Sequence, residues 1–238
     1  MMSDFPHILT DTFRALEIIL YAEQLEQLSC YYEMLTERNR SVNLTALTEP
    51  RDVALKHFGD SLLLLRYFEI DAGASIIDVG TGAGFPGVVL KIARPDLRLT
   101  LLDSLQKRLT FLSELCEALG LRDVAFVHSR AEDGARTALR DSFDYAVARA
   151  VAPLNILSEL CLPYVRPGGT FIAMKGRDAA PELREAENAL DVLCGRVDAI
   201  HTFPLLDAGE RSILCIRKTA PTPAAYPRTA KKIGKHPL

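Results

Sequence analysis

Apolar positions recur at helical spacing over the first seventy residues and then gather into short runs. In AEQLEQLSCYYEMLTERNR (22–40), Leu25, Leu28, Tyr32 and Leu35 lie three or four apart with charged residues between them. That is the pattern of a helix with one apolar face. A second helix is expected after Pro50, through RDVALKHFGDSLLLLRYF, because proline suits the first helical turn. The intervening NRSVNLTALTEP is polar and turn-rich. From residue 74 onward, short apolar runs predict strands at about 75–79, 97–102, 123–128, 143–148, 169–175, 196–203 and 211–217, with helices between the earlier ones. Alternation of strand and helix implies a parallel sheet covered on both faces. Only PLLDAGER separates the last two strands, too little for a crossover, so they should pair antiparallel at one end of the sheet. The expected fold is α/β and Rossmann-like, a seven-stranded, mostly parallel sheet with an antiparallel terminal hairpin. Residues 1–70 form a helical extension, 71–218 the sheet domain, and 219–238 an irregular, flexible tail.

Composition narrows the function without naming it. A chain of 238 residues, 48% hydrophobic and 25% charged, suits one α/β domain with a modest extension. No apolar run is long enough to cross a bilayer, and MMSDFPHILTDTFRALEIIL lacks the basic region and cleavage site of a signal peptide, so a soluble cytoplasmic protein is expected. The five cysteines are widely spaced and form no ligand-spaced cluster with the five histidines. Neither a metal nor a disulfide framework is expected, and the cysteines read as small buried hydrophobes. Charge is uneven. Residues 217–238 hold six basic side chains and no acid, against 22 basic and 31 acidic in the rest. A basic tail on an acidic body suits a polyanionic partner, although a merely solubilising tail has the same composition.

The candidate chemistry centres on IIDVGTGAGFPGVVL (76–90). Gly82, Gly84 and Gly87 match the dinucleotide fingerprint G-x-G-x-x-G, while Asp78, Gly80, Gly82 and Gly84 match the acidic-glycine loop of S-adenosylmethionine-dependent methyltransferases. A pyrophosphate needs the N–H groups of the following helix, and Pro86 removes one of them. S-adenosylmethionine carries no phosphate. Asp103 ends the second strand 21 residues after Gly82, where a carboxylate can accept both ribose hydroxyls or cap the next helix. The third strand, VAFVHS, leads into RAED, where a backbone amide near Ala131 and an acceptor at Glu132 suit an adenine. The fourth, FDYAVA, ends at Arg149, either at the methyl-transfer loop or paired with an acid at the surface. The seven-strand plan with a terminal hairpin is that of class I methyltransferases, whereas the dinucleotide fold is usually all parallel.

Taken in order, DVGTGAGFPG, LLDSLQKRLTFL, HSRAED, VARAVAPL, AMKG and GERSILCIRK, with NLTALTEP and KHFGDSLLL upstream, resemble the RsmG/GidB family across about residues 35–218. The resemblance implies an enzyme that uses S-adenosylmethionine to methylate N7 of one guanine in 16S ribosomal RNA, in the loop beside the decoding site. It places Gly80, Phe85, Ala131, Glu132 and Arg149 on the cofactor, beside Asp103, and Arg130, Lys175 and Arg211 near RNA or the methyl-transfer centre. No catalytic base is assigned. The implied partner is 16S ribosomal RNA or the small ribosomal subunit, met by a monomer, with no membrane involved. The family commonly has Trp where this chain has Arg38, before Asn39, and this chain has no Trp at all. Competing readings are a class I methyltransferase with another acceptor and a non-catalytic RNA-binding assembly factor. A nicotinamide-dependent reductase ranks below both, given Pro86 and the terminal hairpin.

Overall fold

The structure, a computed structural model, describes residues 4–149, 152–176 and 179–238. Its sheet contains β1 (Ser75–Val79), β2 (Arg98–Asp103), β3 (Val124–His128), β4 (Phe143–Arg149), β5 (Val165–Lys175), β6 (Gly195–Pro204) and β7 (Glu210–Lys218) in the order β3-β2-β1-β4-β5-β7-β6. The first five strands are parallel, and β7 is antiparallel to both of its neighbours. The expected hairpin is therefore present. One boundary differs, since β5 begins at Val165 rather than 169. RPGG (166–169) reads as a loop, but Val165 pairs with Phe143 across a register shift, so the neighbouring strand recruits the segment.

Side chains alternate between two cores, as strand periodicity requires. Ile76, Leu99, Val147, Ile172 and Cys215 face one core; Ile77, Ala146, Phe171, Leu214 and Ile216 face the other. Helices α5 (Gly87–Ala93) and α6 (Gln106–Ala118) cover the first face, while α8 (Leu154–Cys161) and α9 (Ala180–Val192) cover the second. The short α7 (Ala131–Gly134) follows β3.

The amino-terminal helices, α1 (Phe5–Ala15) and α2 (Ala22–Val42), share the first core, in which Phe5, Leu28, Tyr31 and Leu35 join Val88 and Leu112. The second expected helix is interrupted. It starts as α3 (Pro50–Asp52), widens into a π-helical segment, Val53–Gly59, and resumes as α4 (Asp60–Tyr67). Arg38, at the position where a Trp was expected, pairs with Glu114 of α6.

The carboxy-terminal segment makes contacts with the sheet domain along its length. Lys218 is fully buried and donates to Asp141 (3.0 Å), Thr222 (2.6 Å) and the carbonyls of Leu162 and Val165. Arg140 donates to the carbonyls of Thr222 and Tyr226, and Arg136 to that of Pro227. Arg228 clasps the fully buried Glu159 of α8 in a forked pair, at 2.6 and 2.9 Å. A short helix, α10 (Ala230–Lys235), follows. Tyr226 and Leu238 pack against the second core, and charge and hydrogen bonding supplied by distant segments add to that hold.

Candidate active site

The chain leaves β1 through three glycines at positive φ (Gly80 73°, Gly82 60°, Gly84 104°) and enters α5. Asp78 lies beneath this turn, fully buried, and its Oδ2 accepts from Thr81 Oγ1 (2.7 Å) and the Gly87 N–H (2.9 Å). Burial raises its carboxyl to about 6. Asp78 thus builds the loop from inside. Gly87 is the third glycine of the dinucleotide register, but its lack of Cβ has a packing cause: a Cβ there would come within 2.7 Å of Asp78 Oδ2 and 2.9 Å of Leu101. The first donors of α5 are already engaged within the protein. Pro86 has none, the Gly87 N–H goes to Asp78, and the Val88 N–H goes to the Gly84 carbonyl. A pyrophosphate would find little to bind, whereas a nucleoside without one meets no such obstacle.

One wall of the cleft is built by the amino-terminal helices. Tyr31 donates to the Ala83 carbonyl (2.5 Å), and its ring stacks 5.3 Å from Phe85. His57 stacks on Phe85 at 4.2 Å, and the Arg149 guanidinium sits 5.1 Å from the centre of the same ring. Arg149 is half-buried, with its side chain turned to partners in the cleft wall. It donates to the Lys56 carbonyl (3.0 Å), to Asp60 Oδ2 (3.1 Å) and to His57 Nδ1 (3.0 Å). The wide π-helical turn presents Lys56 and His57 to it, and the start of α4 presents Asp60. Burial and the adjacent Arg149 push His57 down to about 3. The ring is therefore neutral, accepting at Nδ1 and leaving Nε2–H to donate to Thr45 Oγ1 (2.9 Å). Asn39 shapes the preceding loop, its Oδ1 accepting from Leu44 and Thr45 N–H. Asp60 also meets Arg211 (3.5 Å); burial raises its carboxyl and the two arginines oppose that rise.

The opposite wall follows β2 and β3. Asp103, 2% exposed, accepts from the Gly82 N–H (3.0 Å), the Leu105 N–H (2.9 Å) and Arg108 (3.2 Å). It serves the turn into α6, whose own cap is Leu105, and its ion pair with Arg108 is partly open to solvent. Glu132 is buried and accepts from Arg130 Nε (2.7 Å), while Tyr164 fixes the Ala131 carbonyl (2.6 Å).

Every sequence-predicted site residue lines one cleft of about 860 Å³: Gly80, Phe85, Asp103, Ala131, Glu132 and Arg149, and also Arg130, Lys175 and Arg211. Not all are free. Lys175 is tied to Glu182 and the Ala152 carbonyl (both 2.7 Å), whereas Arg130 is largely exposed. Ala150 and Val151 of VARAVAPL lie outside the described residues. Sequence reasoning gave no role to Tyr31, Asn39, Thr45, His57 or Asp60. Thr45, His57 and Asp60 lie in the NLTAL and KHFGDS segments, whereas Tyr31 and Asn39 lie in neither, because the contacts that give all five a role are made by folding. Burial raises the Cys116 thiol to about 12, which makes it a poor nucleophile.

A family model described as rRNA small subunit methyltransferase G matches residues 24–213. The chain is 50% identical over 223 residues to the ribosomal RNA small subunit methyltransferase G of Geobacillus sp. (strain WCH70), covering 93% of this chain and 94% of that one. Among solved structures, a SAM-dependent methyltransferase from Aquifex aeolicus superposes with a TM-score of 0.53 at 19% identity, covering 73% of this chain and 96% of that chain. The cyclase SpnF superposes with a TM-score of 0.57 at 14% identity, covering 85% and 98%. A methyltransferase and a cyclase thus share this fold, and the fold alone does not select the reaction.

Proposed function

The chain belongs to the rRNA small subunit methyltransferase G family, and from that membership we propose that it methylates N7 of one guanine in 16S ribosomal RNA, with S-adenosylmethionine as the donor. The observation that carries the cofactor part is the glycine loop's geometry. Its turn opens on the cleft, and the first donors of α5 are engaged internally, so the site fits a nucleoside lacking a pyrophosphate.

When bound, S-adenosylmethionine supplies an electrophilic methyl group on a sulfonium. Asp103 would hold the ribose hydroxyls, Ala131 and Glu132 the adenine, and Gly80 and Phe85 the wall between them. Arg149 acts behind Phe85, locking the loop to the π-helical segment. Guanine N7 carries a free lone pair on the major-groove edge, so no side chain has to remove a proton to create the nucleophile. A neutral, half-buried His57 agrees with that economy. What remains for the protein is alignment and electrostatics. Six cationic and four acidic side chains line the cleft, and that positive excess suits a phosphate-bearing acceptor. The target base must be unpaired or splayed out to enter. Naked 16S RNA and the small subunit are both compatible substrates.

The test maps N7-methylguanine in 16S ribosomal RNA, by chemical cleavage at the modified base, from cells with and without this protein. Loss of one cleavage site without the protein is expected; an unchanged pattern would sink the proposal. Calorimetry should show binding of S-adenosylmethionine and none of NAD.

A further inference from the structure

Of the six basic side chains in residues 217–238, three are used inside the molecule: Arg217 with Asp198, Lys218 with Asp141 and Arg228 with Glu159. Lys231, Lys232 and Lys235 are exposed on α10 and, among the described residues, have no ion-pair partner. Ile233 is buried on α10, and Tyr226 and Leu238 pack partly buried against the second core. The polar fastening is the Arg228–Glu159 clasp, with the Arg228 N–H also donating to Glu159 Oε1 (2.6 Å), and carbonyls held by Arg136 and Arg140. A buried carboxylate is costly unless paired, so this clasp fixes one position for the tail. That position is informative. Glu159 lies on α8, and the next residue, Leu160, lines the cleft.

We propose that the carboxy-terminal tail is an anchored strap, clamped to α8 through Arg228 and Glu159, that presents Lys231, Lys232 and Lys235 to the phosphate backbone of the RNA whose base enters the cleft. This rests on the functional reading above and extends its contact surface. A loose basic tail would add affinity without register, whereas a clamped one makes phosphate contacts that position the RNA, as such contacts generally do. The absence of any acid in 219–238 favours a polyanion over a mixed-charge protein surface.

The experiment titrates full-length wild type and the Lys231→Ala/Lys232→Ala/Lys235→Ala variant with a 16S RNA fragment containing the decoding-site loop, at several salt concentrations. Each lost phosphate contact lowers the slope of log affinity against log salt by about 0.7–0.9, so the variant's slope should fall by about 2. Its affinity for S-adenosylmethionine should equal that of wild type. A wild-type slope in the variant overturns the strap, as does a loss seen only with the assembled subunit, which would assign the lysines to a ribosomal protein. Glu159→Gln, checked for intact folding, should raise KM for the RNA several-fold with kcat unchanged; an unchanged KM overturns the clamp. The functional reading is scored separately, because wild type that binds the fragment steeply yet transfers no methyl sinks that reading alone.

Discussion

Arg149 shows how much one side chain can connect. Its guanidinium joins Phe85 of the glycine loop to His57, Asp60 and the Lys56 carbonyl. Arg149→Ala should therefore cost about 3 kcal/mol, the scale of breaking a buried pair, and weaken S-adenosylmethionine binding. Denaturant titration and calorimetry would read the two effects; wild-type values in both would remove Arg149 from the site. Asp78 gives a pH signature. Its carboxyl titrates near 6 in the fold, above its unfolded value, so the native state holds a proton that the unfolded chain has released. Its contribution is fully present below about pH 4 and is lost as pH rises through about 6. Wild type should accordingly lose about 3 kcal/mol relative to Asp78→Asn between pH 4 and 7, the equivalent of a two-unit shift. Parallel urea curves across that range would refute it.

At the scale of elements, the glycine loop depends on a helix far from it in sequence. Gly84 leaves no room for a Cβ, which would lie 2.5 Å from the Tyr31 hydroxyl of α2. Tyr31→Phe removes the hydrogen bond to Ala83 and should cost about 1–2 kcal/mol, with a several-fold weaker Kd for S-adenosylmethionine by calorimetry. An unchanged Kd would mean that the loop supports itself. The strands and their connections were legible in the sequence because alternation and turn length are local properties. The π-helical turn at Val53–Gly59 was not, since KHFGDS reads as ordinary helix until Arg149 arrives to take its carbonyls.

For the whole molecule, the helical extension and the sheet share one core, which Phe5, Tyr31 and Phe58 enter beside Phe85 and Leu112. A fragment of residues 71–238 should lack fixed tertiary structure, seen as a lost near-ultraviolet dichroism signal. A cooperative unfolding transition in that fragment would show instead that the extension is a separable unit. The tail also belongs to the body, through contacts that its own composition does not advertise.

The sequence by itself determined the succession of the strands, the antiparallel ending and the identity of the loop. Each of these depends on spacing within a few residues, and the ordered motifs carried the resemblance to a family. Only the tertiary structure decided which groups are free. Arg149 meets His57 across 92 positions, Tyr31 meets Ala83 across 52 and Arg228 meets Glu159 across 69. Composition counts charges and donors, but only folding brings together the partners that neutralise some of them and leave the rest for a ligand.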